Sequence, residues 1–348
     1  MTGLRDCAPP KLSILMSSDS EQLVVVTANG LYCPPGDFYI DPWKPVQTAL
    51  ITHAHGDHLR HGSARYILAR PGASIAKLRL GGDRELAPLD YGTRIPLRST
   101  TVSLHPAGHI LGSAQLRIEY GSQVWIVSGD YKRQPDPTCA PFEQLECDVF
   151  VSEATFALPV YRWPPTSQVV GEIFRWWRSN RERGLASALF CYSLGKSQRV
   201  LAELLAYTNE PVYVHGAVDS LVGVYRRAGI QMVPTLPIPS DRKTDFRGAL
   251  ILAPPSAVGT PWMRRFGEHA TGFCSGWMRV RGDRRRRGYD RGFVVSDHAD
   301  WPALTATCRA TKARRVLLTH GYSDALIRYL TEGGVEASAL QTDFGAEE

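Results

Sequence analysis

Three imidazoles and a carboxylate fall within six consecutive positions, His53-Ala54-His55-Gly56-Asp57-His58, directly after the apolar run Ala49–Thr52. That crowding constrains the fold more than any other feature of the chain. Ligand-type side chains this dense are best delivered at the end of a strand, on a loop held by a rigid scaffold. In an extended turn His53 and His55 point the same way and reach one metal, while Asp57 and His58 turn toward a second. Imidazole and carboxylate suit Zn²⁺, with Mn²⁺ or Fe as alternatives. The competing account is a solvated His-rich turn, but unpaired imidazoles gain little from crowding beside a carboxylate. Two later positions join the series. His109 lies in the glycine-flanked stretch Pro106-Ala107-Gly108-His109-Ile110-Leu111-Gly112-Ser113. Asp130 follows the strand-like run Val124–Ser128, where a carboxylate can bridge two cations.

The scaffold reads as short strands in the first half: Leu23–Thr27, Phe38–Ile40, Ala49–Thr52, Tyr66–Leu68, Val102–His105, Leu116–Tyr120, Val124–Ser128 and Val149–Ser152. After Glu153 the texture changes. Pro164–Pro165 breaks the chain, and Ser167 is placed to cap a helix running to Arg183. Helical stretches over 195–207 and 221–228 alternate with strands Ala188–Tyr192, Val212–His215 and Leu250–Ala253, which predicts a parallel sheet flanked by helices. A Gly- and Arg-rich loop spans 274–292. Beyond it come a strand Phe293–Ser296, a helix from Trp301, a strand Val316–Leu318, and His320.

The 348 residues, 43% hydrophobic and 21% charged, suit one large or two ordinary globular domains and exclude a disordered chain. Seven scattered cysteines with no C-x-x-C pair argue against a disulfide framework or zinc ribbon and fit a reducing, cytoplasmic setting. No run approaches the about 20 apolar residues of a membrane span. The net charge of +6 says little, but Arg279, Arg281, Arg284, Arg285, Arg286, Arg287 and Arg291 fall in one short stretch. Such a run is either a solvated loop or a contact for a polyanion.

Taken in order, these motifs resemble the metallo-β-lactamase fold family. His53, His55, Asp57 and His58 match its H-x-H-x-D-H motif, His109 its third-motif histidine, and Asp130 its bridging aspartate. Asp41, in Tyr39-Ile40-Asp41-Pro42, matches the first-motif aspartate that supports the ligand loop. The resemblance implies one metal on His53, His55 and His109, another on Asp57 and His58, and Asp130 shared. Later motifs are similar to those of the β-CASP group, the nucleic-acid-cutting branch: Ser152-Glu153-Ala154-Thr155-Phe156, Leu194-Gly195-Lys196-Ser197-Gln198, Ser296-Asp297-His298-Ala299-Asp300 and Leu318-Thr319-His320-Gly321. The implied architecture is an α/β fold, an αββα sandwich with an inserted α/β lid. Residues 1–157 and 293–348 would form the sandwich and 158–292 the lid. The overall pattern is similar to bacterial ligase-associated DNA exonucleases.

That resemblance implies a metal-dependent phosphodiesterase, a 5′ DNA exonuclease working beside a DNA ligase and helicase in repair. Two divalent ions would serve it, zinc or else manganese. Asp57 belongs to the reacting site, His298 is the candidate general acid, Glu153 its orienting partner, and His320 completes the second metal's shell. Lys196 and Ser197 at a helix start are candidate donors to a terminal phosphate, or simple helix caps. Arg284, Arg285, Arg286, Arg287 and Arg291 are candidate backbone contacts. Trp262, Trp277 and Tyr289 either stack on bases or belong to the core. Gly195-Lys196-Ser197 is no nucleotide-binding loop, because Phe190 stands where that loop needs glycine. The alternatives are an RNA-processing nuclease of the same group, which His320 favours, and a non-catalytic nucleic-acid-binding relative, which would have lost ligands.

Overall fold

The computed structural model describes residues 22–82, 84–239, 244–280, 288–319, 321–340 and 342. The first sheet runs in chain order through β1 (Val25–Thr27), β2 (Gly30–Cys33), β3 (Phe38–Ile40), β4 (Thr48–Ile51), β5 (Arg65–Ala69) and β6 (Glu85–Leu89). It is antiparallel from β1 to β3 and parallel from β3 to β6. The second sheet joins β7 (Ile95–Leu97), β8 (Thr100–Pro106), β9 (Ala114–Tyr120), β10 (Gln123–Val127) and β11 (Val149–Glu153) to two late strands, β18 (Arg315–Thr319) and β19 (Glu336–Ala339). β18 lies parallel to β11, with Glu153 opposite Thr319.

Side-chain alternation decides how the sheets pack. On β9 and β10, Leu116, Ile118, Trp125 and Val127 face Leu31, Phe38, Ile40, Leu50 and Ile67 of the first sheet. Ile126 of β10 points the other way, with Phe150, Val316 and Leu318. There it meets α5 (Trp301–Ala310) through Leu304 and Cys308, and α6 (Asp324–Glu332) through Leu326 and Leu330. The outer face of the first sheet, Ala49, Ile51, Tyr66 and Leu68, packs on α1 (Ala73–Leu80). The result is the αββα sandwich.

The lid is a third sheet, all parallel, ordered β14 (Thr235–Pro237), β13 (Val212–Val214), β15 (Leu250–Ala253), β12 (Ala186–Phe190), β16 (His269–Cys274) and β17 (Arg291–Phe293). α2 (Thr166–Glu182) buries Val169, Val170, Ile173, Trp176 and Trp177 at helical spacing. Pro165, in an extended conformation, precedes its first turn, so the predicted cap Ser167 is already inside the helix. α3 (Lys196–Glu203) and α4 (Gly216–Arg227, capped by the His215 ring) complete the lid. The predicted strand over 293–296 is shifted: β17 ends at Phe293, and the division expected at 292/293 falls inside it. The reason is polar. Ser296 offers its hydroxyl to the His298 N–H (3.1 Å) and its carbonyl to Arg199 (2.7 Å), so this backbone is occupied by bonds other than a strand ladder.

Lid and sandwich share one core. Ile75, Ala76 and Leu80 of α1 belong to the same buried cluster as Leu201 of α3 and Val218 and Val222 of α4. Truncation of Ile75, which is fully buried, to alanine should therefore cost about 2–5 kcal/mol. Calorimetry of Ile75→Ala is expected to show a single unfolding transition moved down in temperature. Two transitions, of which only one moves, would contradict the shared core.

Candidate metal centre

Asp41 closes β3 with φ +43°, a left-handed conformation that aspartate tolerates. Its carboxylate then reaches across to the ligand loop after β4. One oxygen accepts from the Thr52 N–H (2.8 Å). The other accepts from the Thr52 hydroxyl (2.5 Å) and from Nδ1 of His58 (2.7 Å). The Asp130 loop approaches the same residue closely: a Cβ on Gly129 (φ +54°) would lie 2.5 Å from the Thr52 side chain, so only glycine fits.

Four of the candidate donors converge. Nitrogen or oxygen atoms of His53, His55, His109 and Asp130 all lie within 4.8 Å of one another. Nδ1 of His55 is 3.1 Å from Nε2 of His53 and 3.0 Å from Nε2 of His109. Asp130 Oδ2 stands between the two groups, 3.3 Å from His53, 3.7 Å from His109 and 3.5 Å from His58 Nε2. Asp57 is 3.5 Å from the same His58 nitrogen.

The outer ring nitrogens decide whether a cation fits. The Leu194 carbonyl can only accept, so the 3.3 Å bond from His55 Nε2 puts that ring's proton on Nε2. The Asp297 carbonyl fixes the proton of His109 on Nδ1 at 2.8 Å. The Thr52 hydroxyl, which donates to Asp41, accepts from His53 Nδ1 at 3.2 Å. In the neutral rings the inner nitrogens therefore present lone pairs to one another, the arrangement of metal-ligating histidines. Burial, followed by the His58 and His109 rings, holds His53 well below its ordinary value and keeps it neutral. Burial also opposes charge on His58, yet the carboxylates of Asp130, Asp41 and Asp57 push it up to about 10. That spot calls for positive charge. Donor set and electrostatics both fit divalent transition ions.

Beside this cluster, His298 Nδ1 donates to Glu153 at 2.8 Å, and the other Glu153 oxygen accepts from the Tyr131 N–H (2.7 Å). The His298 ring sits 4.8 Å from that of His109. His320 lies outside the described residues, as do Arg284, Arg285, Arg286 and Arg287. Arg291 is exposed, with its guanidinium over the Phe293 ring (5.1 Å) and 3.9 Å from Glu172.

Lys196 and Ser197, candidate phosphate donors or helix caps, lie at the start of α3. Both are buried. Lys196 lies 3.5 Å from Asp297 and over the Tyr192 ring, and the Ser197 hydroxyl donates to the Tyr192 carbonyl (2.7 Å). Tertiary packing has turned these donors inward. Trp277 packs on Phe156, Trp262 on Phe266, and Tyr289 stacks on Phe273; all three are half-buried and pack against the lid core. The residues that sequence reasoning missed are Arg199 and Asp136, together with the roles of Thr52, Leu194 and Asp297. Thr52 acts through its hydroxyl, and the others through backbone carbonyls and long-range ion pairs, which leave no local pattern.

No family model matches the chain. A curated protein from Opitutus terrae named "Probable DNA ligase" is 33% identical over 322 residues, 91% of this chain but 31% of that protein. "Endoribonuclease ysh1" of Aspergillus fumigatus is 27% identical over 122 residues, 34% of this chain and 14% of that protein. "Transcription termination factor FttA" of Methanocaldococcus jannaschii is 27% identical over 150 residues, 40% of this chain and 23% of that protein. The chain thus spans a third or less of each of these relatives. The crystal structure of a protein of unknown function from Enterococcus faecalis V583 covers 84% of this chain and 79% of its own at TM-score 0.60 and 13% identity, a likeness of fold. The chain belongs to the β-CASP group of the metallo-β-lactamase fold. Among the described residues of this β-CASP protein, no helix is long and apolar enough to cross a membrane.

Asp41→Ala removes the acceptor that orients His58 and anchors Thr52. Chelator competition is expected to show metal affinity about 10- to 100-fold weaker. Unchanged affinity would refute the supporting role of Asp41.

Proposed function

We propose that this β-CASP protein is a metal-dependent nuclease that digests single-stranded DNA from a 5′ end, in repair alongside a DNA ligase. One observation carries the hydrolytic reading: donor atoms of His53, His55, His109 and Asp130 lie within 4.8 Å of one another, with His58 3.5 Å from Asp130 and a Glu153–His298 pair beside them. Zinc is the ion proposed, with manganese the alternative. Residues 1–157 and 293–348 are proposed as the sandwich and 158–292 as the lid, with Phe293 finishing the last lid strand as the chain returns. Support for DNA comes from the match over 91% of the chain to a protein named as a DNA ligase. The matches named endoribonuclease and transcription termination factor support the second reading, an RNA-processing nuclease.

Bound there, two divalent ions would activate the attacking water and offset charge on the phosphate oxygens. The chain does the rest. Asp130 stands between both groups of donors and fixes their separation. Glu153 accepts from His298 Nδ1 and so orients the ring; in the imidazolium form Nε2 carries the proton that passes to the leaving oxygen, and the ring is then neutral. Glu153 is itself fixed by the Tyr131 N–H, and the Trp163 indole donates to the His298 carbonyl (2.9 Å), so the acid is rigidly placed.

A digestion panel of end-labelled DNA and RNA, linear and circular, tests this reading. Wild type is expected to degrade linear single-stranded DNA from its 5′ end, and Asp57→Ala to lose all metal-dependent cutting. Equal cleavage of circular strands would refute the exonuclease, and faster cutting of RNA would favour the RNA reading. Full activity of Asp57→Ala would remove the mechanism itself. A separate measurement addresses the arginine run. Replacing Arg284, Arg285, Arg286 and Arg287 with alanine should lower the salt slope of binding by about 0.7–0.9 for each phosphate that is no longer neutralised. An unchanged slope would make the run a solvated loop.

A further inference from the structure

The two metal positions lean on different parts of the fold. At the second, His58 is oriented by Asp41, which also anchors Thr52, and both residues belong to the sandwich. At the first, His55 is oriented directly from the lid, and His109 through a backbone carbonyl whose residue a lid helix grips. His55 Nε2 donates to the carbonyl of Leu194, which sits in the turn between β12 and α3. His109 Nδ1 donates to the carbonyl of Asp297, whose side chain is gripped from α3. Arg199 Nη1 is 3.0 Å from Asp297 Oδ1 and donates to the Ser296 carbonyl (2.7 Å), while Nε donates to Asp136 (2.5 Å). Lys196 adds a second cation 3.5 Å from Asp297 Oδ2. The turn itself presses on the His109 loop. A Cβ on Gly195 (φ +89°) would stand 2.4 Å from Ile110 Cγ2.

We infer that the seating of the lid sets the affinity of the first metal position and leaves the second unaffected, with Arg199 and Gly195 as positioning residues. The inference rests on the reading of a dinuclear site. The physical argument is that an imidazole binds metal only when its ring plane and tautomer are held, and a hydrogen bond to the outer nitrogen holds both. Shifting the Asp297 carbonyl or the Leu194 carbonyl frees the His109 and His55 rings, while His58 keeps its Asp41 carboxylate. Arg199 is fully buried, and its planar fork reaches Asp136, Asp297 and Ser296 together. A lysine keeps the charge but cannot span three acceptors.

The test is metal binding by the whole chain, with no substrate present. Wild type, Arg199→Lys, Arg199→Gln and Gly195→Ala are titrated with Zn²⁺ against a competing chelator, and thermal melting of the metal-free proteins is recorded alongside. Arg199→Lys keeps the buried charge balance, so it reports on metal binding if Arg199→Gln fails to fold. Gly195→Ala presses on Ile110, the neighbour of His109, with no change of charge. The expected result is one ion held as in wild type and the other weakened about 10- to 100-fold. Folded variants that hold both ions as wild type does, or that weaken both equally, would overturn the inference. Wild type that binds fewer than two ions would instead overturn the dinuclear reading. Two ions bound without nuclease activity would overturn the proposed function and leave this inference standing.

Discussion

The carboxylate of Asp41 is the hinge of the structure. It accepts three hydrogen bonds inside the protein, from the backbone and hydroxyl of Thr52 and from the His58 ring. Through the Thr52 hydroxyl it also sets the proton on His53. Charge-assisted bonds of this kind are about twice as strong as neutral ones. One buried residue from β3 therefore aligns donors of both metal positions, although the ligand loop belongs to β4. The strands, the positive φ at Asp41 and the glycine at 129 all serve to bring these loops within reach.

The lid is bound to the sandwich by two different kinds of contact. Apolar packing between α1, α3 and α4 resists separation without specifying direction. The ion pairs of Arg199 with Asp136 and Asp297, fully buried, do specify direction: Asp136 comes from the sandwich and Arg199 from the lid. Buried ion pairs contribute little net stability against an apolar alternative, but breaking one leaves an uncompensated charge. They are suited to fixing how the lid sits. The neighbouring cations Lys196 and Arg199 hold the Asp297 carboxyl well below the usual range despite its burial.

The metal centre was legible in the sequence because its ligands obey local spacing. His53, His55, Asp57 and His58 must share one loop, and that requirement is written in adjacent letters. Strands such as β3 and β15 were equally plain, since alternation or a short apolar run survives without context. The weakly amphipathic α1 and the polar-faced β19 carried no such mark. Lys196 and Ser197 at a helix start suit either an anion site or a cap, and the nearness of Lys196 to Asp297, some hundred residues later, is not written in that local pattern. Arg199 escaped notice for the same reason, as its partners lie far away along the chain.

β18 has a consequence for how the molecule comes into being. It inserts next to β11, and Thr319 bonds back to Ser152 across 167 positions. Until that strand is synthesised, β11 has β10 on one side and an open edge on the other, beside the carboxylate of Glu153. The whole lid is made in the meantime, and its parallel sheet closes within its own segment. Long-range pairings of this kind are slow, and an open strand edge invites pairing with other chains. A nascent chain thus carries its lid before its sandwich is sealed, and Glu153 meets His298 only after the lid between them has been made.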